Sequence, residues 1–156
     1  MADPLLDPAV AVDAHVGERL TAEPVIWLST VDDAGRPHTV PVWFAWDDPV
    51  VTIFSRPDTA KVGHLRVRAE VSVALDTVGH GADVVTGGGR ATLSELGRVD
   101  DALDAFGRKY APMLGDQPLD AWLMTFSTPI VVVLDRLVAW RTTSAGLEYR
   151  SLPSRR

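Results

Sequence analysis

A short segment in the first half of the chain groups side chains that suit a phosphate. Ser55, Arg56, Thr59 and Lys61 supply two hydroxyls, a guanidinium and an ammonium within seven residues. The apolar run before Ser55 predicts a strand, and Asp58 is of a residue type that caps a helix start. A helix N-terminus carries unpaired N–H groups and a partial positive charge, so this strand-to-helix junction predicts an anion site. An ordinary solvated turn followed by an exposed helix would have the same composition, and one short basic patch leaves both interpretations open.

Other motifs that could carry chemistry give weaker signals. The glycine run 87–89 lacks the Lys-Ser/Thr ending of a P-loop and the spacing of a dinucleotide-binding loop, so it predicts a bend or bulge in a strand. Arg90 beside it is expected to be solvated. No histidine pair has the spacing of metal ligands, so no metal site is predicted. The histidines are His15, His38, His64 and His80. The tryptophans expected in the core or at an interface are Trp27, Trp46 and Trp122.

Composition excludes several classes of function. The chain has 156 residues, a net charge of −6 and no block of basic residues, which argues against nucleic-acid binding. No apolar stretch approaches the roughly 20 residues of a membrane helix, and residues 1–16 do not resemble a signal peptide. The absence of cysteine excludes disulfides and thiolate sites and is consistent with a cytoplasmic location. The excess of Arg over Lys is typical of high-GC bacterial genomes.

Hydrophobic periodicity predicts a chain made mainly of strands. Strands are predicted at 25–31, 38–46, 50–55, 70–77, 82–95, 129–141 and 146–151, and helices at 13–21, 58–68, 99–114 and 118–124. The first two strands flank a turn-forming Asp-Asp-Ala-Gly and form a hairpin. These elements predict one α+β, mainly β domain over 1–156, an antiparallel barrel with a few short peripheral helices. Residues 1–23 are expected to be a helical lead-in and 151–156 a tail.

Four stretches, in order, resemble the pyridoxamine-phosphate-oxidase-like split barrels. They are Trp-Leu-Ser-Thr-Val at 27–31, Gly-Arg-Pro-His-Thr-Val-Pro-Val at 35–42, Ile-Phe-Ser-Arg-Pro-Asp-Thr-Ala-Lys at 53–61, and Thr-Pro-Ile at 128–130 with Arg-Leu-Val-Ala-Trp at 136–140. Within that superfamily the chain is most similar to the actinobacterial F420-dependent oxidoreductases. The resemblance covers residues 24–141. It implies an antiparallel split β-barrel of the FMN-binding type, acting as a homodimer with each cofactor in a groove between the chains.

The resemblance also assigns residues to the cofactor. Its phosphate would be held by Ser55, Arg56, Thr59 and Lys61. Its ring would lie against the second hairpin strand, at Thr39, Pro41, Val42 and Trp43. Trp140 would approach from the partner chain. Because proline cannot donate to a strand ladder, Pro41 by itself predicts an edge strand, a bulge or a gap that faces a ligand. The resemblance favours the last, since a strand that faces a ring needs no N–H there.

The implied activity is hydride transfer between reduced coenzyme F420 and an unsaturated or quinone-like small molecule. Because the cofactor supplies the chemistry and solvent can protonate the product, no side chain is assigned a catalytic role. His38, beside the ring strand, is a remote candidate for proton delivery, and contact of His38 or Arg90 with the ligand stays open. One alternative is an FMN flavoprotein, either pyridoxamine-phosphate-oxidase-like or a flavin reductase. Another is a non-catalytic protein that holds a cofactor or haem.

Overall fold

The computed structural model describes residues 2–153. Its helices are α1 (Ala11–Ala22), α2 (Ala60–Leu65), α3 (Asp100–Leu114) and α4 (Leu119–Leu123), with a 3-10 turn at Leu96–Arg98. Its strands are β1 (Ile26–Val31), β2 (Pro37–Val42), β3 (Ala45–Asp47), β4 (Val50–Ser55), β5 (Glu70–Leu75), β6 (Asp83–Leu93), β7 (Thr128–Thr143) and β8 (Gly146–Leu152). Mainly β structure with a few short helices confirms the predicted fold class.

One antiparallel sheet contains all of these strands, in the order β2-β1-β5-β6-β7-β4-β3, with β8 pairing the second half of β7. Its two outermost strands, β2 and β3, are separated by only Trp43 and Phe44 in the chain. Because neighbours in sequence form the opposite edges of the sheet, the sheet must curl until those edges approach. The result is a split barrel, and residues 43 and 44 cross the split.

Two apolar clusters stabilise the barrel. The larger one fills the inside of the curl, and α1 contributes Val16 and Leu20 to it while α2 contributes Val62 and Leu65. The smaller one lies outside the curl, where α3 and α4 pack against β3 and β4. The predicted helix at 99–114 contributes one apolar stripe to this cluster, made of Val99, Leu103, Phe106, Tyr110 and Leu114. α3 and α4 are therefore anchored by buried side chains, Phe106 and Tyr110 on the first and Leu123 on the second.

The glycine run lies where β6 and β7 change register, between Gly88 and Gly89. A Cβ atom on Gly89 would overlap the carbonyl oxygen of Val133, and one on Gly88 would overlap the guanidinium of Arg136. At Gly89 only glycine allows the two strands to approach this closely, whereas at Gly88 the end of the Arg136 side chain could move aside. The predicted bend is confirmed.

Three predicted boundaries were wrong. The strand predicted at 38–46 is broken, because the N–H and the carbonyl of Phe44 contact the hydroxyl of Tyr110 instead of a neighbouring strand. Thr59, not Asp58, precedes α2, which ends at Leu65; the Asp58 carboxylate accepts hydrogen bonds from Arg56 instead. β8 continues to Leu152, so the predicted tail at 151–156 begins later. Residues 154–156 of that tail, and residue 1 of the lead-in, lie outside the described residues.

Lys109 on α3 should make stability depend on pH. Its ammonium lies 3.7 Å from the centroid of the Phe44 ring. Burial lowers the pKa of Lys109 to about 8, against a smaller opposing effect of Glu23. Between about pH 8 and pH 10.5 the unfolded chain therefore binds more protons than the folded one, and the free energy of unfolding should rise with pH. Urea denaturation across this range should show the rise, and Lys109→Met should make it smaller, because the lowered pKa of Lys61 contributes a rise of the same sign. An equal rise in the variant would contradict the assignment.

Candidate cofactor site

A cleft of about 500 Å³ lies between the end of β2 and the end of β4. Its lining has a polar part made of Ser55, Arg56, Thr59 and Lys61. The rest of its lining is apolar and consists of Val25, Pro41, Val42, Trp43, Phe54, Trp122 and Phe126. Seven of the nine residues assigned to the cofactor by resemblance thus line one cleft. The fold brings them together because the crossing at 43 and 44 places the end of β2 beside the end of β4.

The two hydroxyls of the polar part are held in place by the turn between β4 and α2. Ser55 is buried, and its hydroxyl oxygen lies 3.1 Å from that of Thr59. Both hydroxyls donate to the carbonyl of Arg56, at 3.0 and 3.2 Å. The helix that follows has only six residues, so its macrodipole is weak. Attraction for an anion must therefore come mainly from the side chains. The sequence had instead predicted an anion site at the helix N-terminus.

Lys61 is the cation whose surroundings point most directly to a bound anion. Its neighbours in α2, Val62 and Leu65, are buried in the core, which holds Lys61 in the lining of the cleft. The side chain is half-buried, and burial lowers its pKa. Among residues 2–153 it forms no ion pair or hydrogen bond. A partly desolvated ammonium without a counter-ion is unfavourable, and a phosphate in the cleft would supply the missing charge.

Arg56 differs because it already has a carboxylate partner. Its guanidinium lies 3.1 Å from Asp58 at an exposed position. The hydrogen bond raises the pKa of Arg56 and lowers that of Asp58. A phosphate must therefore compete with Asp58 for the guanidinium.

Removing that competitor should strengthen anion binding. We expect Asp58→Asn to tighten binding of a phosphate-bearing ligand by about two- to fivefold, the scale of an exposed ion pair. The gain should shrink at high salt, because exposed charges are screened. Titrations at low and high ionic strength measure both effects. Weaker binding by the variant would mean instead that Asp58 positions Arg56 for the ligand.

The apolar part of the lining is an aromatic stack. The Trp43 ring is parallel to that of Tyr110, with centroids 4.4 Å apart, and is followed by Trp122 at 6.0 Å. Phe126 stacks on Trp122 at 4.2 Å. Sequence reasoning placed Trp122 in the core or at an interface and did not single out Phe126. The two residues are four apart, so they would share one face of a helical turn at the end of α4. That spacing does not indicate which side of the turn faces the cleft.

The remaining candidates lie outside this cleft. Thr39 is on β2, with its hydroxyl 2.7 Å from that of Ser29. The Trp140 indole donates to the carbonyl of Gly81 at 2.8 Å. Its approach to a partner's cofactor stays a prediction. His38 lies edge-on to His64, and Arg90 pairs with Glu70 at the surface. Within residues 2–153, no three His, Asp or Glu side chains are grouped as a metal site. No helix in that range is long and apolar enough to cross a membrane.

A second groove, of about 1200 Å³, lies between the start of α3 and the outer face of β3 and β4. Its charged lining residues are Asp47, Glu95, Arg98, Asp100, Asp101 and Arg108. Four carboxylates face two guanidiniums there, so its potential does not favour an anionic ligand. The smaller cleft, with two cations and no carboxylate in its lining, suits a phosphate better.

Solved structures share this fold. A conserved hypothetical protein from Mycobacterium tuberculosis superposes with a TM-score of 0.73 at 19% identity, over 99% of this chain and 96% of that one. HutZ, the haem storage protein from Vibrio cholerae, gives 0.64 at 14% identity, over 80% and 90%. A proposed 5-nitroimidazole antibiotic resistance protein from Bacteroides thetaiotaomicron gives 0.63 at 17% identity, over 83% and 84%. At these identities the likeness establishes the fold alone.

Sequence comparison identifies the family. No curated protein matches the chain. Residues 12–128, from α1 through every element that lines the cleft, match the family model for pyridoxamine 5′-phosphate oxidase. The match includes β2 and the junction at 55–61, so it agrees with the resemblance to the pyridoxamine-phosphate-oxidase-like superfamily. The chain belongs to the pyridoxamine 5′-phosphate oxidase family of split barrels.

Proposed function

We propose that this protein is an oxidoreductase that uses coenzyme F420 to transfer a hydride to an unsaturated or quinone-like small molecule. The observation that carries the proposal is Lys61, a half-buried ammonium with no partner among residues 2–153 at the polar end of an otherwise apolar cleft. A ligand complementary to this cleft has an anion at one end and a flat apolar ring at the other. Flavin-type cofactors have this shape.

The residues present fit such a cofactor. Ser55, Arg56, Thr59 and Lys61 would hold the phosphate, by two hydroxyls and two cations. Pro41, Val42 and Trp43 would face the ring, with Thr39 farther along β2, and Pro41 is exposed, as a strand residue in contact with a ligand would be. Bound F420 supplies the hydride; the protein orients the ring and, through its aromatic wall, keeps water from it.

Two exposed cations favour F420 over FMN. FMN ends at its phosphate, whereas F420 continues into a tail that carries carboxylates. Arg66 and Arg68 follow the phosphate segment at the end of α2, and both are exposed. Arg68 donates to the backbone carbonyls of Asp32 and Asp33, and its charge also lowers the pKa of the nearby Glu70. A tail that ran from the phosphate segment along α2 would meet this positive charge.

We also propose that the protein acts as a homodimer in which Trp140 reaches the partner's cofactor. In support, Tyr149 lies opposite Trp140 across β7 and β8 and is 60% exposed, and Leu147 two residues before it is 66% exposed. Exposed apolar side chains grouped on one face are typical of interfaces. Sedimentation equilibrium should give twice the mass of the chain; a monomer at micromolar concentration would contradict the dimer.

The haem-binding alternative has less support. HutZ is named as a haem storage protein, but among residues 2–153 the lining of this cleft includes no His, Cys, Met or Tyr that could be an axial ligand. FMN remains the stronger alternative, since its phosphate would use the same residues.

Parallel titrations with F420 and FMN, followed by fluorescence, test the proposal. We expect micromolar binding of F420 and weaker binding of FMN. Tight FMN binding without a response to F420 would show that FMN is the cofactor, and it would leave the assignment of the cleft as the cofactor site unchanged. Binding of neither would overturn the proposed function.

A further inference from the structure

Lys109 lies between α1 and α3, in surroundings that solvate an ammonium poorly. Its Nζ lies 3.7 Å from the centroid of the fully buried Phe44 ring. It donates a hydrogen bond to the carbonyl of Leu20, in the last turn of α1, at a long distance of 3.5 Å. An ammonium has three N–H donors, and this one makes no second hydrogen bond within residues 2–153. A partly desolvated ammonium with one weak hydrogen bond is more easily deprotonated than one in water.

Two titratable groups face Lys109, and neither neutralises its charge. The carboxylate of Glu23, the residue that follows α1, accepts hydrogen bonds from Arg19 at 3.0 and 3.3 Å and forms its ion pair there. Tyr110, whose ring centroid is 5.6 Å from the ammonium, stays uncharged because burial raises its pKa to about 12. Burial lowers the pKa of Lys109 to about 8, and the attraction of Glu23 for the ammonium is the smaller, opposing effect. At pH 8 about half of these side chains are therefore uncharged amines.

An uncharged lysine amine is a nucleophile, and Lys109 is only partly buried, so a small reagent can approach it from solvent. Its surroundings favour an uncharged product. An acyl group leaves an amide, which keeps an N–H donor for the Leu20 carbonyl. Carbon dioxide would leave a carbamate anion against the negative face of the Phe44 ring, with the same sign of charge as Glu23. An aldehyde would leave an imine whose protonated form is again a poorly solvated cation.

We propose that Lys109 is an acylation site that takes a small acyl group from an uncharged ester or thioester. The amine nitrogen attacks the carbonyl carbon and forms a C–N bond. The C–O or C–S bond of the donor breaks, the alkoxide or thiolate leaves with the electron pair, and the amine nitrogen loses one proton to water. Lys109 is not part of the cofactor cleft, so the site does not depend on the proposed function.

Acylation at this position should change how stability depends on pH. It replaces an ammonium, which burial disfavours, by an uncharged amide. The free energy of unfolding of the acylated protein should therefore rise less between about pH 8 and pH 10.5 than that of the unmodified protein, as in Lys109→Met.

The rate of acylation as a function of pH tests the proposal on the protein without cofactor. The reagent is p-nitrophenyl acetate, and mass spectrometry of peptides measures acetylation of Lys109 separately from that of Lys61, the other lysine of the chain. The rate at Lys109 should reach half of its plateau near pH 8 in the folded protein and near pH 10.5 in urea. A value near 10.5 in the folded protein, or acetylation of Lys61 without Lys109, would overturn the proposal.

Glu23→Gln is the matched variant, because it removes the charge that favours the ammonium and keeps an oxygen that can accept from Arg19. The pH of half-maximal rate at Lys109 should be lower in this variant than in the wild type. A higher value would overturn the proposal, since Glu23 would then not face the amine as described. Thermal denaturation checks that the variant is folded, and the profile of the wild type decides the question if it is not.

Discussion

Replacing Lys61 by alanine should weaken cofactor binding by about 1.5–3 kcal/mol, the worth of a charge-assisted hydrogen bond. This corresponds to roughly a 10- to 150-fold increase in the dissociation constant. The effect should be large because Lys61 is half-buried and has no other counter-ion in the described chain, whereas Arg56 is already paired with Asp58. Fluorescence titration at fixed ionic strength measures it. Lys109→Met removes the same charge from outside the cleft and should leave the affinity unchanged. Equal cofactor affinities of wild type and Lys61→Ala would show that Lys61 does not bind the phosphate.

The same residue gives a pH signature. Burial lowers the pKa of Lys61 below its ordinary value of 10.5 in the free protein. An anion in the cleft favours the charged ammonium and raises that pKa again. Binding must therefore take up a proton once the pH exceeds the lowered value, and the affinity should fall as the pH rises through it. Lys61→Met should lose this dependence.

Replacing Tyr110 by alanine should cost about 3–5 kcal/mol of stability, the usual range for a large buried aromatic side chain. Its ring is fully buried and stacks on Trp43. Its hydroxyl donates to the Pro24 carbonyl at 2.7 Å and accepts from the Phe44 N–H at 2.9 Å. Burial raises the pKa of Tyr110 to about 12, so the hydroxyl stays a donor at neutral pH. One side chain thus joins α3, the start of β1 and the crossing between β2 and β3.

The conservative variant separates the two contributions. Tyr110→Phe keeps the stack but leaves the Phe44 N–H and the Pro24 carbonyl unpaired, so we expect a loss of about 1–3 kcal/mol. It should retain cofactor affinity, because Trp43 keeps its support; Tyr110→Ala, where folded, should lose part of it. Urea denaturation measures both variants. Tyr149→Phe, at the other tyrosine of the chain, is the control and should not change stability. A fully stable Tyr110→Phe protein would show that water replaces the hydroxyl.

Local sequence patterns predicted the strands well because each follows from alternation within a few residues. β1, β4 and β6 lie within two residues of the predicted bounds at each end. The break after Val42 could not be predicted, since its cause is a hydroxyl 66 residues away in the chain. The prediction that Asp58 caps α2 was wrong because of a side-chain interaction. Asp58 is a good capping type, but a guanidinium two residues earlier binds its carboxylate.

In the candidate site too, some residues were predictable from local sequence and others were not. The polar part was predictable because its four residues occupy one short segment, and the ring strand followed from resemblance to the family. Trp122 and Phe126 were missed because their spacing is equally typical of a buried helix face. Their place in the cleft depends on how α4 packs against Trp43.

A crystal structure of the protein with F420 bound would test the proposed site most directly. We predict phosphate oxygens at about 2.7–2.9 Å from the Lys61 ammonium, hydroxyls of Ser55 and Thr59 turned toward them, and the ring beside Pro41 and Trp43. A cofactor in the larger groove beside α3, or one whose phosphate does not touch the segment 55–61, would contradict the assignment.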